Sequence, residues 1–586
     1  MTAPSEERII LRLSMYALLL RGLRLLRSNP RIFLQRLLML IRRPMQGSRA
    51  LMSIARLHKE VDESYAEWMR ISRRPIANQC GPPETGPLLS VIMPVHDVDE
   101  AFLRAAIESV LGQTYPHWQL CIADDASTRP YIRQTLDWYA AHDLRIRVEY
   151  RESAGHISAA SNTAVSLASG EFVVLLDHDD ILADCALAEI AAVIVSQPDV
   201  DFIYSDEDKI SPEGVRSDPF FKPAWSPTLL TSCNYVTHIA AIRRTLVRQL
   251  GGFRDETVGS QDHDLFLRVA EVARSVAHIP LVLYSWRTAP GSTAVSTSAK
   301  PYAVEAARRA ITDAVHRRGL AATVRDTELN GIFAVRYAVE SPRVSFIVLG
   351  QCTAWEHLLS LSNIEITDVV YVDGEPLDPI RVPGASGIGS LKGEYLVWID
   401  SNSRSLHSDS VTALIEQLQV PGTGIASGLT LRRGQVLQAG MWLDRSNQPA
   451  YAYAGLSLLP YRNFYANLKN LPHEVAAGWV GYCATTAELW SALSGWNTTL
   501  PPSLAMIDFS LRAREAGYSI VYTPWARFER STPLDPLEHT DSGDWPSHTN
   551  PDPFLNSNLN PSRGDGLPFR GAAEGIRVQT VKPVNN

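Results

Sequence analysis

The sequence predicts an α/β protein: two Rossmann-like, mainly parallel modules in tandem, preceded by basic amphipathic helices. Three observations predict it. From about residue 88, short apolar runs that read as buried strands alternate with helical stretches. Near Pro342 the same series starts again. Residues 8–59 hold eleven Arg, one Lys and no acid; with a net charge of −8, the other 534 residues carry −20.

At 586 residues the chain is too long for one core. The expected units are a basic helical region at 1–80, a first α/β module at 87–330, a second at 340–540, and an extended or partly disordered tail at 541–586, rich in Pro, Asn, Ser, Gly and Asp. Six scattered cysteines without a Cys-x-x-Cys pair indicate neither a zinc site nor a disulfide framework, and fit a reducing compartment.

The basic region comes first. Its longest apolar run, Leu13 to Leu20, is stopped by Arg21, short of the 18 or so residues of a spanning helix, and no small-residue cleavage site follows. Residues 31–43 sort by helical angle: Arg31, Gln35, Arg36, Arg42 and Arg43 on one arc, Phe33, Leu34, Leu37, Leu38, Leu40 and Ile41 on the other. Such a helix suits an anionic membrane surface. Packing on its own protein is the alternative. Nucleic acid is not expected, because the rest of the chain is acidic and carries no nucleic-acid motif.

After a linker at Pro82–Pro87, Ser90–Val95 reads as a strand and Glu100–Leu111 as a helix. Gln119–Ala123 and Arg147–Tyr150 are further strands, and Ser158–Ser169 a small-residue helix. Phe172–Leu176 is an unbroken apolar strand that ends in Asp177, Asp179 and Asp180. Ile181–Ser196 reads as a helix with Asp180 as a candidate N-cap. A third acidic station, Asp262, opens a helix over 262–272. On a doubly wound sheet, Asp124-Asp125, Asp177-x-Asp179 and Asp262 share the carboxyl edge, where ligands bind. Clustered carboxylates are costly unless a cation joins them, and oxygen ligands suit Mg²⁺ or Mn²⁺ shared with phosphates.

Four stretches repeat in order. Pro87-Leu-Leu-Ser-Val-Ile-Met-Pro pairs with Pro342-Arg-Val-Ser-Phe-Ile-Val-Leu, and Ile122-Ala-Asp-Asp with Tyr371-Val-Asp-Gly. Gly170-Glu-Phe-Val-Val-Leu-Leu-Asp-His-Asp pairs with Gly393-Glu-Tyr-Leu-Val-Trp-Ile-Asp-Ser-Asn, and Gln261-Asp-His-Asp with Ala505-Met-Ile-Asp. The second copy keeps apolar strand residues but has Gly374, Asn402 and Met506 where the first has Asp125, Asp179 and Asp262. Only the first copy is expected to be catalytic.

Pro94-Val95-x-Asp97, Ala123-Asp124-Asp125-Ala126-Ser127, Asp177-x-Asp179-Asp180 and Gln261-Asp262-x-Asp264-Leu265 resemble the stations of the inverting, GT-A-fold family 2 glycosyltransferases. The resemblance is close over about 88–325 and loose over 342–540. Tyr204–Lys209, Phe221–Pro227, Asn234-Tyr235, Leu283–Arg287 and Asp552–Asn560 look like an O-antigen or surface-polysaccharide subgroup of bacteria.

The resemblance implies two GT-A-like modules, the second degenerate. It implies a nucleoside-diphosphate-sugar donor and a lipid-linked (polyprenyl-diphosphate) or polysaccharide acceptor, at the inner face of the cytoplasmic membrane. Pro94, Asp97, Asp124, Asp125 and Asp177 would meet the donor nucleotide, Asp179 the metal, and Asp262 would be the general base. His156, Lys222, Trp225, Gln261, Trp286 and Arg287 are possible diphosphate or acceptor contacts. Several have plainer readings: Asp97 and Asp125 as turn residues, His156 as a loop histidine, Lys222 and Arg287 as solvated surface, and Trp225 and Trp286 as core. Ser161 and Ser285 stand where relatives often carry Arg and His. Two other classes remain: a sugar nucleotidyltransferase, which needs a Gly-rich basic loop after the first strand, and a non-catalytic carbohydrate-binding scaffold.

Overall fold

The computed structural model describes residues 63–69, 86–288, 301–329, 331–350, 364–372, 381–382, 385–386, 391–443, 448–459, 465–534, 537, 552, 554–556, 558–559 and 579–581. The basic stretch 8–59, Gly374 and much of the linker and tail lie outside them.

The first module is built on β1 (Leu89–Val95), β2 (Trp118–Asp124), β3 (Ile146–Tyr150) and β4 (Phe172–Leu175), which are parallel in the order β3-β2-β1-β4. After the two-residue β5 (Ile181–Leu182) come β6 (Phe202–Ile210), β7 (Arg216–Phe220), β8 (Ala240–Arg243) and β9 (Val276–Arg287). The sheet continues β4-β8-β6-β9; β8 runs antiparallel to both neighbours, and β6 and β9 are parallel. Because β1 and β2 are buried along nearly their whole length, they are mostly apolar, broken only by Ser90 in β1 and by Gln119 and Asp124 in β2, rather than alternating. The helix Glu100–Leu111 starts where Asp99 accepts the Ala101 amide at 2.9 Å and stops at Gly112. The chain leaves β1 toward β2 on one side and reaches β4 on the other, so a switch point lies between β1 and β4.

The second sheet repeats this plan strand for strand. Its order is Glu365–Val372, Arg343–Leu349, Tyr395–Asp400, Tyr482–Thr486, Thr423–Arg432 and Ser519–Arg530, matching β2-β1-β4-β8-β6-β9. Every pair has the same direction as its counterpart. Side-chain details recur too. The Gly170 amide donates to Ser90 Oγ at 2.8 Å, and the Gly393 amide to Ser345 Oγ at 2.9 Å. A Cβ on either glycine would fall 2.5 Å from Leu88 O or 2.4 Å from Ser345 N, so both copies need glycine there. Arg268 ties Asp264 to Leu250 O and Gly252 O; Arg512 ties Asp508 to Leu493 O and Gly495 O. The protein is thus two GT-A-like α/β modules.

Three elements differ from the sequence reading. Ile181–Leu182 is a strand paired with Tyr284 and Ser285, and the helix begins only at Ala186. Asp180 is no N-cap: it is fully buried, accepting the Tyr284 hydroxyl at 2.6 Å and the Arg287 amide at 2.7 Å, and these bonds hold the chain extended. Residues 63–69, assigned to the basic region, are helical and pack on the first module: Tyr65 donates to Asp208 Oδ2 at 2.5 Å and, with Trp68, contacts Phe221. The described part of 541–586 is likewise anchored. Asn556 donates to both Asp206 oxygens and Lys222 O, Asn558 to Pro280 O, and Asp552 accepts the Leu443 amide.

Candidate active site

At the switch point a cleft open to solvent is lined by Pro94 of β1, Ser161, Asp177, His238, Gln261 and Asp262 among others. Asp177 lies just past β4, where pairing with β1 has ended at Ile92–Leu175. Asp262 is the second residue of the helix Gln261–Ala270. The two carboxylates, 85 residues apart in sequence, therefore share one cavity. Asn234 Nδ2 donates to Asp262 Oδ2 at 2.7 Å. Gln261 accepts the Gly259 amide at 2.9 Å.

The electrostatics centre on Asp177. Burial raises its pKa; His238 opposes the rise, and Asp179 and Asp262 add to it. Its side chain nevertheless keeps 44% of its surface, so solvent moderates these effects. His238 Nε2 stands 3.8 Å from Asp177 and its Nδ1 3.2 Å from Glu207. Burial lowers the His238 pKa, but the bond and charge of Glu207, with help from Asp177 and Asp180, carry it up to about 9. The ring stacks on Tyr284 at 4.5 Å. Glu207 in turn is pulled down to about 2: burial raises it, but Lys222 and His238 win. Asp177, Asp180 and His238 bring ligand atoms within 4.8 Å of one another.

Asp179 is outside that trio; its backbone oxygen accepts Arg287 Nε at 2.6 Å. Its charge still acts on Asp177 and Asp180. Asp124 ends β2 beside Val95, and its Oδ1 is buried without a hydrogen-bond partner among the described residues. Asp124 pairs with Val95, one residue beyond Pro94 of the cleft, and is not itself among the lining residues.

The other sequence candidates are placed differently. Asp125 takes Arg151 Nε at 2.8 Å and the Gly155 amide at 2.9 Å, and so staples a loop. Both oxygens of Asp97 are engaged by Thr128 and Arg129 in a turn; burial raises this carboxyl, but those bonds outweigh it and hold its pKa low. Lys222 is not surface. It is fully buried, with Nζ on Glu207, Val236 O and His238 O. Trp225 is core, against Phe202, Tyr204 and Tyr235. Arg287 is buried over the Phe102 ring. Trp286 is half-buried with its ring 5.3 Å from His238. His156 is exposed at the start of the helix His156–Leu167 with φ +64°, and does not line the cleft.

Sequence reasoning named the stretches Tyr204–Lys209 and Asn234-Tyr235 without giving Glu207 or Asn234 a role, and passed over Thr237 and His238. Nothing local announces that β6 and the chain leading into β8 bring them together. In the second module the counterpart of Asp177, Asp400, pairs with Arg530 at 2.8 Å. The chain thus supplies its own cation there, and Asn402 and Met506 complete the loss of acid.

A family model described as glycosyl transferase family 2 matches residues 90–251. The protein y4gI of Sinorhizobium fredii is 33% identical over 82% of this chain and 58% of its own length. The O-antigen biosynthesis protein RfbC of Myxococcus xanthus is 29% identical over 75% of this chain and 37% of its own. This chain therefore spans little more than half of the first of these relatives and less of the second. The Escherichia coli UDP-Glc:alpha-D-GlcNAc-diphosphoundecaprenol beta-1,3-glucosyltransferase WfgD is 30% identical over 31% of this chain and 69% of its own length. With the family's domain lying over β1 to β8 and the carboxylate-lined cleft at its centre, the chain belongs to glycosyl transferase family 2.

Proposed function

We propose that the first module transfers one sugar, with inversion, from a nucleoside-diphosphate sugar to a lipid-linked or polysaccharide acceptor in the synthesis of a bacterial surface polysaccharide. The observation that carries this reading is the convergence of Asp177 and Asp262 on one cleft at the switch point. The open Asp124 oxygen fits the imide or ring N–H of a nucleotide base. RfbC and WfgD, by their names, support an O-antigen-like product and a diphosphate-lipid acceptor.

Asp262 would take the proton of the acceptor hydroxyl as that oxygen bonds to C1. The C1–O bond to the diphosphate breaks on the opposite face, its electron pair leaving with the diphosphate. A positioned base contributes on the order of 10²- to 10⁴-fold. Asp177 and Asp179 would hold a divalent cation, Mg²⁺ or Mn²⁺, beside His238. The donor set fits: Asp177, Asp180 and His238 bring ligand atoms within 4.8 Å of one another, and the charges of Asp179 and Asp262 add to the rise in the Asp177 pKa that burial begins, an excess that a cation relieves. When bound, such an ion supplies Lewis-acid stabilisation to the departing diphosphate. His238, placed between Glu207 and Asp177, adds a positive group on the same wall.

The nucleotidyltransferase reading lacks support, since the turn after β1, His96 to Asp99, has no Gly-rich basic loop. The scaffold reading suits the second module alone, which would be non-catalytic. The test is donor hydrolysis by the purified protein with UDP-, GDP- and dTDP-sugars plus Mn²⁺ or Mg²⁺. Metal-dependent release of nucleoside diphosphate is expected; no release from any donor would contradict the reading.

The basic helices would seat the enzyme on the inner face of the cytoplasmic membrane. Among the described residues no helix is long and apolar enough to cross a membrane. Truncation should stop before residue 63, because Tyr65 and Trp68 belong to the first module's core. A chain lacking residues 1–62 should no longer pellet with anionic vesicles; continued pelleting rules out this mode of attachment.

A further inference from the structure

Asp262 does not stand alone. Asn234 Nδ2 holds its Oδ2 at 2.7 Å, while Asn234 Oδ1 accepts the Thr237 amide at 3.3 Å, so the amide group is fixed from both ends. With Oδ2 occupied, an incoming proton has Oδ1 to go to. The residues next to this pair in sequence are held by one short turn. Tyr235, fully buried, accepts the Ser226 amide at 2.9 Å. His263, also buried and kept neutral by that burial, donates Nε2–H to Leu230 O at 2.7 Å. Ser226 to Leu230 is the four-residue helix Pro227–Leu230 with its N-cap, whose Ser226 Oγ accepts the Leu229 amide.

That turn is anchored from the other module. Glu474, in the strand His473–Glu474 of the second sheet, is 3% exposed. Its Oε1 accepts the Thr228 hydroxyl at 2.6 Å and the Thr228 amide at 3.1 Å, and its Oε2 accepts the Ser226 hydroxyl. A buried carboxylate that crosses from one module to satisfy three donors of the other is costly to misplace. The second module has Gly374, Asn402 and Met506 in place of three acids of the first, yet carries this one where it meets the first module's turn.

We propose that Asn234 is the positioning residue for Asp262, and that the second module, through Glu474, holds the turn on which the Asn234–Asp262 pair rests. The proposal builds on the reading of Asp262 as general base. The degenerate copy then keeps the acceptor side of the first copy's cleft in register. The donor side, at Asp124, Asp177 and Asp179, is carried by other strands, so the effects should separate.

The test uses the full chain, Mn²⁺, and whichever UDP-, GDP- or dTDP-sugar the wild type hydrolyses. Asn234→Ala is expected to lower kcat by about 10- to 100-fold, the scale of losing a partner that orients a working group, with donor affinity by calorimetry unchanged. Asn234→Asp keeps the shape but cannot donate and places like charge on Asp262; it should be worse than Ala, and Asn234→Gln should recover part of the rate. A role in packing alone would give the reverse order, with the isosteric Asp tolerated. Glu474→Gln and Glu474→Ala should lower kcat about tenfold, again with donor affinity kept. If Glu474→Ala does not fold, Glu474→Gln, which keeps volume and one acceptor, carries this arm. Asp262→Asn serves as the reference: if it stays active, the general-base reading fails. If it is inactive while Asn234→Ala and Asn234→Asp turn over like wild type, the positioning proposal is overturned. Wild-type kcat in the soluble Glu474 variants removes the second module from it.

Discussion

Asp262→Asn should abolish nearly all sugar transfer while leaving donor binding intact. Asn keeps the volume and accepts the same cleft position, but it cannot take a proton from an attacking hydroxyl. The expected loss in kcat is on the order of 10²- to 10⁴-fold, the usual contribution of a positioned base. Donor affinity should hold, because Asp124 closes β2 and the Asp177–Asp179 edge follows β4, away from the helix Gln261–Ala270. Initial rates and calorimetric titration of the donor, measured on the same preparation, check this. A parallel loss of affinity would place Asp262 on the donor instead.

The second large effect is on stability. Lys222 is fully buried, and burial lowers its pKa even with Glu207 at 3.2 Å. Glu207→Gln leaves that ammonium without its nearest counter-charge and strips His238 of the closer of its two carboxylates. Breaking a buried pair in this way costs about 3–5 kcal/mol, so a clear fall in urea midpoint is expected. Lys222→Met together with Glu207→Gln should restore part of it. The pH dependence follows with definite signs. Glu207 falls from 4.5 to about 2 on folding, so its stabilisation is full above pH 4.5 and is lost as pH drops toward 2. His238 rises from 6.5 to about 9, so its stabilisation is full below pH 6.5 and is lost as pH climbs through 9. The two shifts share one contact and count once. The wild type should be most stable between about pH 4.5 and 6.5 as far as this pair is concerned, and the Gln variant should show a flatter profile. Equal stability of the two proteins at pH 6 would refute the assignment.

The fold was legible because duplication repeats the features that packing demands. Gly170 and Gly393 must be glycine against the β1 backbone and its counterpart, and apolar strands stay apolar in both copies. The acids that closed β2 and β4 were legible because polar residues at the carboxyl end of a buried strand have few structural reasons to be there. Asp97 and Asp125 satisfy nearby backbone amides in local turns, a use that sequence cannot tell from ligand binding. Burial decides other placements. Lys222 and Arg287 look like ligand cations until the sheet closes over them, and Glu207 and His238 look ordinary until β6 and β8 pair. Asp180 resembled a helix cap because its use, on Tyr284 and Arg287 of β9, lies more than a hundred residues away.

The most direct test of the account compares the two copies at matched positions. Donor turnover should be measured with Mn²⁺ for an Asp179→Asn/Asp262→Asn double variant and for an Asn402→Ala/Met506→Ala double variant of the full chain. The account predicts loss of turnover in the first and near wild-type rates in the second. Turnover that survives in the first variant, or disappears in a folded second, would contradict it.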